Sequence, residues 1–156
     1  MRFPIKKALA VAAIGTVALL VGSCASLQRS WDQGEVKQVA DLINAGQAQE
    51  LADLSASPFI VDGEVVVLPS DVAGFWTGIL KAAFRVDSAA LDTGSAVTAT
   101  SYRQFADTME VRSFFSRYVK DGARILELTT GSGSRIRLIV RSDWFSWKIL
   151  GWKGPF

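Results

Sequence analysis

Histidine is absent from the 156 residues, and cysteine occurs once, at Cys24. A single thiol excludes an intramolecular disulfide. Without imidazole, the Ser-His and Cys-His nucleophile pairs and the usual zinc and iron sites also fall away, so no metal or cofactor is expected. Disordered and collagen-like classes are excluded by a composition that is 49% hydrophobic and 21% charged. The length fits one modest domain. Long apolar runs are scarce too. The only extended one, Ala8 to Val21, has fourteen uncharged residues, fewer than the roughly 20 that span a bilayer as a helix.

That run is placed as an export signal is. Arg2, Lys6 and Lys7 precede it, and small residues follow it. The junction reads Val21-Gly22-Ser23-Cys24, which resembles the lipobox of bacterial lipoproteins: an aliphatic residue and two small ones ahead of a cysteine. The resemblance covers the signal alone. It implies a diacylglyceryl thioether on Cys24, cleavage after Ser23, and acylation of the new amino terminus by a fatty acid such as palmitate. One myristoyl chain binds marginally, at about 0.8 kcal/mol per buried methylene, whereas two or three chains hold a protein on its membrane. The membrane is thus the first expected partner. Ala25, in place of an acidic residue, is what lipoproteins exported to the outer membrane of two-membrane bacteria carry. The competing readings are an ordinary signal peptide with a chance cysteine, or an uncleaved anchor. The expected division is residues 1–23 as signal, 24–31 as lipidated tether and 32–156 as one domain.

Charge changes meaning once the signal is set apart. Three of the seventeen basic residues precede Cys24 and none of the fifteen acidic ones does, so fourteen bases face fifteen acids after it. The basic isoelectric point therefore gives no support to nucleic-acid binding. Residues 24–75 hold eight acids and two bases, and residues 76–156 hold seven acids and twelve bases. Such asymmetry suits either pairing within the fold or a basic face turned to an anionic surface.

The periodicity reads as helices first and strands last. Asp32 and Glu35 stand at capping-box spacing, and Val36, Val39, Ala40 and Ile43 repeat on one helix face up to the stop Asn44-Ala45-Gly46. A short second helix carries Leu51 and Leu54 and is expected to end at Pro58. Asp62-Gly63 between Phe59-Ile60-Val61 and Glu64 to Leu68 signals a tight hairpin. Ser70 or Asp71 then caps a helix with the stripe Val72, Phe75, Trp76, Ile79, Leu80 and Ala83. Residues 86–100 have no clear period and read as a loop with room for a short strand. Tyr102 and Phe105 look helical, and Val111, Phe114, Phe115 and Tyr118 follow helical spacing. Arg124 to Thr130, Arg135 to Arg141 and Phe145 to Trp152 form an antiparallel meander. Ile136, Leu138 and Val140 alternate with Arg135, Arg137, Ile139 and Arg141, which predicts one face buried against helices and one charged face. The class is α+β: N-terminal helices and a short hairpin packed on a C-terminal antiparallel meander.

This order, with Pro58-Phe59-Ile60-Val61-Asp62-Gly63-Glu64 and the closing Trp147-Lys148-Ile149, resembles the NTF2-like, cystatin-like group over residues 32–152. The resemblance implies a curved, cone-like sheet around a helix, with an apolar cavity that members use for catalysis, ligand binding or dimerisation. The helix near residues 108–119 departs from the group's pattern. No catalytic residue of the group can be matched here.

Phe75, Trp76, Phe84, Phe114, Tyr118 and Trp147 are the candidate pocket-lining residues, against the plainer reading that they fill a core. Trp144 and Trp152, expected opposite Trp147 in the strand alternation, are candidates for an interface with a partner, a second subunit or the membrane. Arg135, Arg137, Arg141 and Lys148 read as a solvated face paired with acids such as Glu127 before they read as a polyanion or lipid-headgroup site. Gly131-Ser132-Gly133-Ser134 reads as a hairpin turn, since a phosphate loop would open a helix. The leading expectation is a non-enzymatic, lipid-anchored envelope domain for an apolar or amphipathic small ligand or a protein partner. The alternative is an NTF2-like enzyme with an Asp/Glu–Tyr acid/base pair in its cavity.

Overall fold

The computed structural model describes residues 34–82, 84–91, 94–143 and 146–155. Cys24, the tether, Asp32 and Trp144 lie outside these residues, and residues 32–156 form one compact unit. Residues 34–45 form α1, whose Val36, Val39, Ala40 and Ile43 stripe is fully buried. Gly46, at φ +74°, stops it. The Gly46 N–H donates to the Ile43 carbonyl at 3.1 Å and the Gln47 N–H to the Leu42 carbonyl at 3.0 Å, a Schellman pair that satisfies carbonyls left free at the helix end.

Helix α2 (Ala48–Leu54) runs directly into β1 (Ser55–Val61). Pro58 therefore lies inside a strand and does not end a helix, as the sequence had suggested. The pairing of β1 shifts register between Ser55 and Ile60, where a residue without an N–H can sit. Asp62 (φ 49°) and Gly63 (φ 98°) turn β1 into β2 (Glu64–Val66), the positive-φ pair a two-residue hairpin needs. Helix α3 (Pro69–Lys81) starts ahead of the expected cap: Leu68 is the N-cap and Pro69 occupies the first turn, where its missing N–H costs nothing. The stretch read as a loop with room for a short strand contains two strands, β3 (Val86–Leu91) and β4 (Ser95–Ala96), both antiparallel to β5 (Ala123–Thr130). A 3-10 turn (Ser101–Gln104) leads to α4 (Met109–Tyr118), whose N-cap hydroxyl on Thr108 accepts from the Val111 N–H at 3.2 Å. Strands β6 (Arg135–Asp143) and β7 (Ser146–Lys153) complete the expected meander.

The α+β class holds, but the sheet is mixed. Its seven strands follow the order β2-β1-β7-β6-β5-β3, with β4 also on β5, and β1 lies parallel to β7 while the other pairs are antiparallel. Both faces are covered. Helices α1, α2 and α3 bury Leu126, Leu128, Ile136, Leu138, Val140, Ile149 and Trp152 on one face. On the other, the 3-10 turn and α4 bury Ile60, Ile125, Ile139 and Leu150 beneath Phe105, Val111, Phe114 and Phe115. The expectation of one helix-covered face and one charged face is corrected accordingly. Ile139, set among arginines in sequence, marks the second core.

One irregularity sets the orientation of the last strand. Ile139 pairs with Gly151 and Val140 with Ile149, so Leu150 is the extra residue of a bulge. Leu150 and Gly151 therefore face the α4 side in succession. Gly151 has no room for a side chain: a Cβ there would collide with Ile60 Cγ2 and stand 3.2 Å from Ile139 Cδ1.

Candidate functional site

The densest aromatic grouping lies between α3 and the sheet. Trp76 on α3 meets Trp152 on β7 edge-on at 5.4 Å, Phe75 at 5.0 Å and Phe59 on β1 at 6.2 Å. Phe75 and Phe84 also approach Trp152, at 5.7 and 5.6 Å. Such offset and edge-to-face pairs contribute about 0.5–1.5 kcal/mol each beyond area burial. Both indole N–H groups are satisfied: Trp76 donates to Ser55 Oγ at 2.9 Å, and Trp152 to the Gly154 carbonyl at 2.8 Å. The Ser55 hydroxyl in turn donates a hydrogen bond to the Leu51 carbonyl at 2.8 Å. Phe59, Trp76 and Trp152 are fully buried, so these rings pack against one another within the core under α1–α3.

The six candidate pocket residues do not converge. Trp76 belongs to the core under α1–α3, with Phe75, Phe84 and Trp147 half-buried against it. Phe114 lies in the other core, 5.4 Å from Tyr118, which is itself exposed. The sheet stands between the two sets. Trp152 is corrected as an interface residue, because it is fully buried on the same face as Trp147. Simple alternation would put residues five apart on opposite faces, and the bulge at Leu150 reverses that. Both tyrosines lie on the α4 side, away from the Trp76 cluster.

The basic residues are built into pairs and caps. Glu127 accepts from Arg137 Nε at 2.5 Å and from Arg135 Nη1 at 3.4 Å, as the solvated-face reading expected. Arg141 Nη1 donates to the Tyr118 carbonyl at 3.4 Å, setting a cation at the C-terminal, partially negative end of α4. Lys148 donates to the Asp53 carbonyl. Sequence reading missed one cluster. The Tyr102 hydroxyl accepts from Arg112 Nη2 at 2.7 Å and from Arg103 Nε at 3.3 Å, and both guanidinium groups flank its ring, 4.9 and 5.7 Å from the centroid. Asp107 stands 3.6 Å from Arg112 and 3.7 Å from Arg103. The Arg103 guanidinium pKa is held above its ordinary value, first by the Tyr102 hydrogen bond, then by electrostatic attraction to Tyr102 and to Asp107. The i,i+4 pair Arg103–Asp107 was legible, but Arg112 joins only through the turn into α4.

A shallow groove of about 370 Å³ runs along the outer side of α1 and α2, lined by polar side chains such as Lys37, Gln38, Asp41, Gln47 and Glu50. Among the described residues no group of His, Cys, Asp and Glu could hold a metal ion, and no helix is long and apolar enough to cross a membrane. Fold and side chains thus define a mixed-sheet α+β domain with two packed cores and a charged rim. Comparison with protein-family models, curated proteins and solved structures finds no match.

Proposed function

We propose that this chain is a lipid-anchored lipoprotein of the bacterial cell envelope whose single α+β domain binds a protein partner at its surface without catalysing a reaction. The observation that carries the anchor is the order of basic start, apolar run, small pair and sole cysteine at Val21-Gly22-Ser23-Cys24. Two or three acyl chains would make attachment permanent, and Ala25 favours the outer membrane where the host has one. Surface binding is favoured over a small apolar ligand inside because Phe59, Trp76 and Trp152, which such a ligand would have to displace, are buried against one another. The helix, hairpin, helix and meander order supports a variation on the NTF2-like plan, with the 3-10 turn and α4 added before the meander.

The test is fractionation of the native host, or a close bacterial one, expressing the full chain or Cys24→Ser. The natural chain should enter the membrane fraction and the variant should be released. Equal retention of both would overturn the anchor. Crosslinking in intact cells followed by mass spectrometry would identify the partner, and recovery of the chain joined only to itself would replace it with a homodimer.

A further inference from the structure

The anchor and the fold together bear on which end of the domain meets the lipid. The start of α1 is fixed to one end of the sheet, since Ser142 near the end of β6 donates its hydroxyl hydrogen to Glu35 in the first turn. The other end of α1 is fixed at the opposite end of the sheet. There the Asn44 side chain donates to the Val86 carbonyl at 2.9 Å and accepts the Val86 N–H at 3.0 Å, and Val86 pairs with Thr130 at the end of β5. The chain therefore enters the domain beside the β6–β7 connection, with the turn at residues 131–134 at the far end. From Cys24 to Gly34 it can extend about 34 Å at ~3.4 Å per residue, close to the roughly 30 Å length of a nine-residue strand such as β6.

The end where the chain enters also gathers cations. Helix α4 ends there, because the Tyr118 carbonyl accepts from Arg141. Exposed Arg117 and Lys120 flank that terminus, and Arg141 faces Lys148 directly across β6 and β7. Arg124, in the same part of β5, donates to the Gly94 carbonyl at 2.7 Å. Among the described side chains, the carboxylates at this end are Glu35, on the α1 side, together with Asp53 and Asp121, and the cations concentrate around the end of α4. Tyr118, 38% exposed, adds a ring with a polar tip, the side-chain type favoured at a lipid–water boundary.

We infer that this end of the domain, bearing Arg117, Tyr118, Lys120, Arg141 and Lys148, rests on anionic lipid headgroups, leaving the hairpin turn at Asp62-Gly63 and the 131–134 turn facing away from the bilayer. The inference rests on the proposed acylation of Cys24. Because α1 begins at this end, a tether leading to Gly34 can bring these cations to the headgroups, and lipid charge then holds the domain upright.

The test uses the mature lipoprotein purified from membranes and reconstituted into vesicles of equimolar phosphatidylglycerol and phosphatidylcholine. With Cys24 acylated, Ser146→Cys at the near end and Ser132→Cys at the far end each provide one free thiol for a fluorophore, read against an acceptor on lipid headgroups. Strong energy transfer from position 146 and weak transfer from 132 are expected. The contrast should be lost in Arg117→Glu/Lys120→Glu and in vesicles of phosphatidylcholine alone. Equal transfer from both positions, or stronger transfer from 132, would overturn the orientation, and a contrast unchanged by lipid charge would overturn its electrostatic basis. Intact mass separates the two ideas: protein lacking the diacylglyceryl group sinks the anchor, whereas acylated protein without contrast sinks the orientation alone.

Discussion

On one face of the sheet, three helices that follow one another along the chain cover an aliphatic stripe and a set of interlocked rings. On the other, a 3-10 turn and one ten-residue helix cover Ile60, Ile125, Ile139 and Leu150. The first face is fastened by polar handles inside it, the indoles of Trp76 and Trp152. The second has its polar fastening at the rim, where Arg103, Arg112 and Asp107 surround Tyr102. Directional bonds within a core select one packing, while those at a rim are shared with water and hold less. The α1–α3 face should therefore carry more of the domain's stability. Trp76→Ala should cost about 3–5 kcal/mol in chemical denaturation, as large aromatic truncations in cores do. Phe115→Ala, near the rim of the second core, should cost less. Equal losses would break the comparison.

The second face is packed most tightly at Gly151, which lies between Ile60 and Ile139 on neighbouring strands. A methyl group there collides with Ile60 Cγ2 and also lies 3.2 Å from the Ile60 carbonyl oxygen, so backbone must shift as well as side chain. Gly151→Ala should cost about 1–3 kcal/mol by overpacking. In a double-mutant cycle, Ile60→Ala should recover part of that loss, with a coupling of about 0.5–3 kcal/mol. Strictly additive losses would show that the bulge relaxes by another route.

The same contrast explains what could be read from the chain. Val36, Val39, Ala40 and Ile43, and the stripe through Val72 and Trp76, repeat at helical spacing, so the α1–α3 face was legible. So was the Asp62-Gly63 hairpin, because its positive φ values need those residue types. Helix α4 was legible as a helix, but its place over the second face was not. Ile139 stands among Arg135, Arg137 and Arg141, and a long arginine can lie along a half-covered surface with its head in water. Strands β3 and β4 were not located within residues 86–100, where room for one short strand was expected, because edge strands that pair on one side, with a register shift, need no strict alternation. The candidate site was read least well. A single unpaired residue in β7 returned Trp152 to the core, and a bulge has no signal in hydrophobic pattern alone. The Val21-Gly22-Ser23-Cys24 junction, by contrast, is a matter of residue order and lies outside the described residues.

Smaller changes sharpen the comparison on the α4 side. Thr108→Ala removes the hydroxyl that accepts the Val111 N–H and should cost about 1 kcal/mol, while Thr108→Asp should keep most of the cap. If the second face opens locally before the whole domain unfolds, amide exchange in α4 should rise in Thr108→Ala while α1 stays protected. Uniform acceleration through both helices would mean that the faces unfold as one.

The smallest effect is expected at Glu127, where two arginines converge on a carboxylate that is about one-fifth exposed. Its position matters through a third cation, because Arg137 lies directly opposite Lys153 on β7 and like charges so placed repel. Glu127→Gln keeps an acceptor for the arginines and removes the neutralising charge, so the loss should stay within about 0–1 kcal/mol. It should also shrink as salt rises, since the screening length falls from about 10 Å at 0.1 M to about 3 Å at 1 M. Lys153→Ala in the same chain should recover most of it. The Trp76→Ala loss should show no such parallel fading, because apolar burial does not depend on ionic screening. A Glu127→Gln loss that persists unchanged at 1 M salt would instead make the carboxylate a packing element of the sheet, and the rim of the second face would then be as rigidly specified as the core of the first.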